Sequence, residues 1–161
     1  MKKILLISNK VFHYRLKIYN HFHQKFKEDD FKLILLANKV QEDTGIETEF
    51  DIHIESFNIL KYFRIINNLK PDYVIILLHL KNLIMIPIIT YLRMRKIPVI
   101  YWNHGINQLD PNNVFKNSIY YFIHSLADRI LLYSPNEREY IRPKNQGKIY
   151  IANNTIVFDE N

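Results

Sequence analysis

Five short runs of this chain are dominated by apolar side chains at successive positions: Ile4–Ser8, Phe31–Ala37, Tyr73–Leu78, Ile97–Trp102 and Arg129–Tyr133. A strand with one wet face alternates apolar and polar residues, because its side chains point to opposite faces in turn. Runs without that alternation need burial on both faces, a condition met by a parallel sheet covered by helices. The segments between the runs supply those helices. Tyr14–Phe26 places Leu16, Ile18, Tyr19, Phe22 and Phe26 on one helical stripe. Asn58 is suited to cap a helix running to Leu69, with Leu60, Phe63, Ile66 and Leu69 on one side.

The remaining chain fits the same alternation. Asn38–Glu49 reads as loop and Phe50–Phe57 as a half-exposed third strand. Asn82–Arg95 reads as a helix that Pro87 is expected to kink, and Asn103–Asn113 as a loop. A helix is expected over Val114–Leu126, a short one over Asn136–Ile141, and a last strand over Lys148–Ala152 after Gly147. Regular β-α alternation over 161 residues predicts one Rossmann-like α/β domain, 1–161. Its sheet should be doubly wound and parallel, of about seven strands, with helices on both faces. Tyr73–Leu92 has the apolar length a bilayer requires. His79, Lys81 and Asn82 near its middle make a buried strand followed by a buried helix the better reading.

Open sheets of this kind bind ligands beyond the carboxyl ends of their strands, where the strand order reverses. That rule selects residues by position. It picks out His13, Tyr14 and Arg15 after the first strand, His79 after the fourth, Asn103, His104 and Gly105 after the fifth, and Ser134 after the sixth. Arg15, at a helix start, adds charge to backbone N–H groups that favour phosphate. Gly105 is one of only three glycines. It permits a positive φ or a close backbone approach, and it leaves His104 standing at the rim.

Other chemistries are excluded. Neither G-x-G-x-x-G nor G-x-x-x-x-G-K-[ST] occurs, which argues against dinucleotide and P-loop functions. The absence of cysteine removes thiolate catalysis, thiolate metal sites and disulfides. His21 and His23, two apart on a helix, diverge, so no metal is expected. The net charge of +6 favours anionic partners, although a chain rich in Ile, Lys, Asn and Tyr reaches that charge by composition alone. The cations are dispersed rather than gathered into an arm, so no nucleic-acid partner is expected.

Five segments, in order, carry a resemblance: H-Y-R-L-K-I-Y-N-H-F from His13, K-P-D-Y-V-I-I-L-L from Lys70, V-I-Y-W-N-H-G from Val99, A-D-R-I-L-L-Y-S-P-N-E-R-E-Y-I from Ala127 and K-I-Y-I-A-N-N-T from Lys148. Together they resemble the N-terminal, acceptor-side half of a GT-B glycosyltransferase of family 4, over nearly the whole chain. The resemblance implies sugar transfer from a nucleotide-sugar co-substrate, with retention at the anomeric carbon and without a metal. It also implies a catalytic His104 beside the transferred sugar, with Tyr14 and Arg15 bordering donor phosphates or acceptor. The acceptor is expected to be a glycan or lipid-linked glycan of a cell-envelope polysaccharide. The site would be cytoplasmic, with basic faces (Lys61, Arg64, Lys70; Arg93, Arg95, Lys96) resting peripherally on the anionic inner surface of the membrane. The family's E-x7-E signature belongs to a second, donor-binding domain. Glu47 and Glu55 have that spacing here but lie in the wrong half. Without that second domain the chain alone is expected not to turn over. The alternative is a non-catalytic half-protein that docks or anchors a separate donor-binding subunit; a weaker one is a free-standing module for a phosphorylated small molecule.

Overall fold

The computed structural model describes residues 1–40, 47–78 and 83–153. His79, Lys81 and Asn82 lie outside them, as does Asn154. In chain order the elements are β1 (Lys2–Val11), α1 (His13–Glu28), β2 (Phe31–Val40), β3 (Asp51–Ile54), α2 (Ile59–Leu69), β4 (Tyr73–Leu77), α3 (Met85–Met94), β5 (Val99–Asn103), α4 (Val114–Leu126), β6 (Arg129–Leu132) and β7 (Ile149–Ile151). Two 3-10 turns, Pro135–Tyr140 and Pro143–Lys148, join β6 to β7. The seven strands form one sheet in the order β3-β2-β1-β4-β5-β6-β7. Every neighbouring pair is parallel.

Successive residues of the central strands enter opposite cores. Leu5 and Ile7 of β1, Ile34 and Leu36 of β2, Val74 and Ile76 of β4 and Tyr101 of β5 pack beneath α2, α3 and α4, against Tyr62, Ile66, Ile88, Ile89, Leu92 and Ile123. Ile4, Leu6, Leu33, Leu35, Ile75 and Trp102 face the other way, toward Leu16 and Tyr19 of α1. This two-sided burial is why the strand sequences show no polar alternation. Each such Leu or Ile contributes about 1.5–3 kcal/mol. The chain builds outward from β1 to β3 through α1, then returns through α2 to place β4 on the other side of β1. Right-handed crossovers therefore put α1 on one face and α2 to α4 on the other. The strand order reverses between β1 and β4.

Several boundaries differ from the sequence reading. β1 and β2 run on through Asn9, Lys10, Lys39 and Val40, because pairing continues past the covered part of the sheet, as in Lys10↔Lys39. β3 spans only Asp51–Ile54 on an edge, while Phe50 leaves the strand and packs edge-on against Tyr19. α3 begins at Met85, so Pro87 occupies the third helical position. There its missing N–H removes no helical bond, so the expected kink has no cause. Met85, Ile88, Ile89 and Leu92 are buried, and β4 followed by α3 accounts for the long apolar run. Among the described residues no helix is long and apolar enough to cross a membrane. The expected short helix after β6 is a 3-10 turn headed by Pro135.

Candidate active site at the strand-order reversal

A cleft of about 240 Å³ opens where β1, β4, β5 and β6 end. Ser8, Asn9 and Lys10 line it from β1, Leu77 and Leu78 from β4, Tyr101 to His104 from β5, and Tyr133 from β6. Phe12, Tyr14 and Arg15 enter from the start of α1, and Tyr120 from α4. Helices on opposite faces of the sheet therefore contribute opposite walls.

His104 follows the last residue of β5 and is held on two sides. Its ring stacks on Tyr133 with centroids 4.1 Å apart and planes within 21°. Its Nδ1 stands 2.7 Å from Oε1 of Glu137. A carboxylate only accepts, so Nδ1 carries a proton, and among the described residues Nε2 makes no hydrogen bond. Glu137 is buried, and its Oε2 accepts the N–H groups of Tyr133 at 2.8 Å and Ser134 at 3.2 Å. One carboxylate thus ties the end of β6 to the end of β5.

The turn carrying His104 is equally constrained. Gly105 has φ +83° and is buried; a Cβ there would come 3.0 Å from Cβ of Tyr140 and 3.3 Å from the Glu137 carbonyl oxygen. The Gly105 N–H donates to Oδ1 of Asn103 at 2.6 Å, and Nδ2 of Asn103 donates to the Tyr101 carbonyl at 3.2 Å. The far side of the loop is pinned by Asn117 of α4. Its Oδ1 accepts the Asn107 N–H at 3.1 Å and its Nδ2 donates to the Pro111 carbonyl.

Arg15 is half-buried and faces the phenols of Tyr14, Tyr19 and Tyr133. Burial opposes its charge, but the Tyr19 and Tyr133 hydroxyls outweigh it and hold its pKa above the ordinary value. Lys10 is exposed, with Nζ 4.9 Å from the Phe12 ring centroid. Among the described residues neither cation has a carboxylate within ion-pairing distance. Glu137 is occupied by His104, by two backbone N–H groups and by Nε2 of Gln108 at 3.4 Å. Burial pushes the phenols of Tyr101 and Tyr133 up, so both are neutral hydroxyls at ordinary pH. The cleft offers two cations, one imidazole and aromatic walls. That set suits an anionic ligand that also presents a ring.

Of the residues selected from sequence, Tyr14, Arg15, Asn103 and His104 meet in this cleft. Gly105 and Ser134 lie behind it, where they shape the turns rather than line the cavity. His13 begins α1 beside it. His79 falls outside the described residues. Sequence reasoning missed Glu137, Trp102 and Tyr133. The S-x-x-E spacing of Ser134 and Glu137, a capping-box pattern, was the available signal for the first. Among the described residues no group of three or more His, Asp or Glu side chains is placed to hold a metal.

No protein-family model and no curated protein sequence matches the chain. Solved structures do match its fold. UDP-GlcNAc 2-epimerase from Neisseria meningitidis, bound to UDP-GlcNAc, superposes with a TM-score of 0.62 at 12% identity, over 96% of this chain and 46% of the other. Anabaena HepE in complex with UDP gives 0.64 at 10% identity, over 94% and 43%. MurG from Acinetobacter baumannii gives 0.54 at 16% identity, over 85% and 42%. The chain spans less than half the length of each. It shares with them a Rossmann-like α/β fold.

Proposed function

We propose that this chain is the acceptor-side part of a glycosyltransferase that moves a sugar from a nucleotide-sugar to a glycan or lipid-linked glycan. The observation that carries the reading is His104. Its imidazole is fixed by Glu137 and Tyr133, it lines the cleft, and Lys10 and Arg15, which have no carboxylate partner among the described residues, share that cleft. In transfer, the bond between the anomeric carbon and the donor's diphosphate oxygen breaks while an acceptor hydroxyl oxygen bonds to that carbon, and the hydroxyl proton passes to the departing diphosphate. Negative charge grows on the departing diphosphate, and preorganised cations in a partly dry cleft stabilise it. Nε2 of His104 would hydrogen-bond the transferred sugar and orient it. Membership of family 4, retention at the anomeric carbon and a role in cell-envelope polysaccharide synthesis follow from the segment resemblance and belong to this proposal. So does a peripheral seat on an anionic membrane surface, for which the exposed Arg93, Arg95 and Lys96 are available.

The test is a screen of nucleotide-sugars with lipid-linked acceptors, using the full-length protein and its His104→Ala variant. We expect transfer to fall by at least about tenfold with folding intact, as when a positioning or electrostatic group is removed. Near-normal turnover in the variant would remove His104 from the reaction.

A further inference from the structure

His124 is a fully buried histidine near the cleft that the proposed reaction does not use. It lies on the inner side of α4 at 0% exposure, packed among Tyr101, Tyr120 and Tyr121. Its Nε2 stands 3.0 Å from Oδ1 of Asn103. The Asn103 amide cannot be turned over. Its oxygen accepts the Gly105 N–H and its nitrogen donates to the Tyr101 carbonyl, and both bonds are made to fixed backbone. The group facing Nε2 is therefore an acceptor, so His124 carries its proton on Nε2 and donates it. Its Nδ1 is buried without a partner.

We infer that His124 is a positioning residue for the cleft: it holds the Asn103 amide, and through it the Gly105 peptide that sets where the His104 imidazole stands. His104 carries a proton on Nδ1 by its partnership with Glu137, and His124 on Nε2 by its partnership with Asn103. Without the His124 donor, Asn103 keeps its two backbone bonds but loses the side contact that fixes its rotamer from the α4 side. Gly105 does not fix the turn by itself, because a glycine reaches positive and negative φ about equally readily; the bond from its N–H to Asn103 Oδ1 is what holds it at φ +83°. The inference deepens the transferase reading, since the place of His104 matters to turnover only on that reading; the geometry of the turn does not depend on it.

Nitrogen NMR of the histidine rings tests it without substrate. At neutral pH the wild-type chain should show His124 as the Nε2–H tautomer. A Nδ1–H tautomer at His124 would overturn the inference with no variant needed. In His124→Phe, which keeps bulk but loses the donor, the Gly105 amide and His104 ring resonances should shift. In His124→Gln, whose amide can donate from the same place, both should return toward wild type. Unchanged Gly105 and His104 signals in a folded His124→Phe would also overturn it. In the full-length enzyme His124→Phe should lower kcat by about tenfold to a hundredfold, the scale of a misplaced reacting group, with KM little altered. Normal NMR behaviour with no transferase activity in any form would count against the proposed reaction and leave the positioning chain standing.

Discussion

Both oxygens of the Glu137 carboxylate are used inside the protein, by one imidazole and two backbone N–H groups. Glu137→Ala leaves buried donors without a partner, and we expect it to lower unfolding free energy by about 1–3 kcal/mol in urea titrations. Gly105→Ala should cost a similar amount, about 1–3 kcal/mol, since it combines φ +83° with a Cβ only 3.0 Å from Tyr140. His124 ties stability to pH. Burial, reinforced by nearby Lys148, pulls its pKa from 6.5 down to about 4. The unfolded chain takes up this proton near 6.5 and the folded chain only near 4, so the contribution is whole above 6.5 and fades as pH falls toward 4. Between about pH 7 and about pH 5 this group should remove about 2 kcal/mol of stability. Urea titrations at both pH values check it, and His124→Gln should flatten that share of the slope.

At the level of elements, α4 depends on a side chain from outside itself. Nζ of Lys148, at the entry to β7, reaches the carbonyl oxygens of Ala127 at 2.9 Å, Ser125 at 3.2 Å and His124 at 3.3 Å. These are carbonyls at the end of a helix, where the backbone has no partners of its own and the dipole favours a cation. Lys148→Met should lower the thermal midpoint and cost about 1–2 kcal/mol. No local pattern announces this bond, because the partners lie 21 to 24 positions apart. Elements with punctuation at both ends were legible. Asn58 accepts from the N–H groups of Leu60 and Lys61, as expected of a cap, and α2 ends at Leu69, with Lys70 after it in the left-handed region. The lengths of β1 and β2 were not legible, since pairing through Asn9, Lys10 and Lys39 is backbone-driven and indifferent to polarity. The site divides the same way. Arg15 and His104 follow strands directly, so strand ends located them. Glu137 carried only the S-x-x-E signal of its own turn; its partnership with His104 became visible once β6 lay beside β5, a neighbourhood the pairing Trp102↔Leu131 establishes.

Across the whole molecule, β1 and β4 occupy the middle of the sheet and are covered on both faces. Their amides should exchange slowest in native-state hydrogen exchange, with β3 and β7 at the edges fastest. Equal protection across all seven strands would contradict the order. The same order has a bearing on biosynthesis. β1 leaves the ribosome before both of its neighbours and is completed on one side only when β4 emerges; Lys3 and Asp72, which meet there, are 69 positions apart. Until β4 emerges, the nascent β1-β2-β3 unit exposes one long apolar edge, and long-range parallel pairing of this kind forms slowly. The lysines at its ends, Lys2, Lys3 and Lys10, place like charges along that open edge, the means by which unpaired strands resist joining another copy.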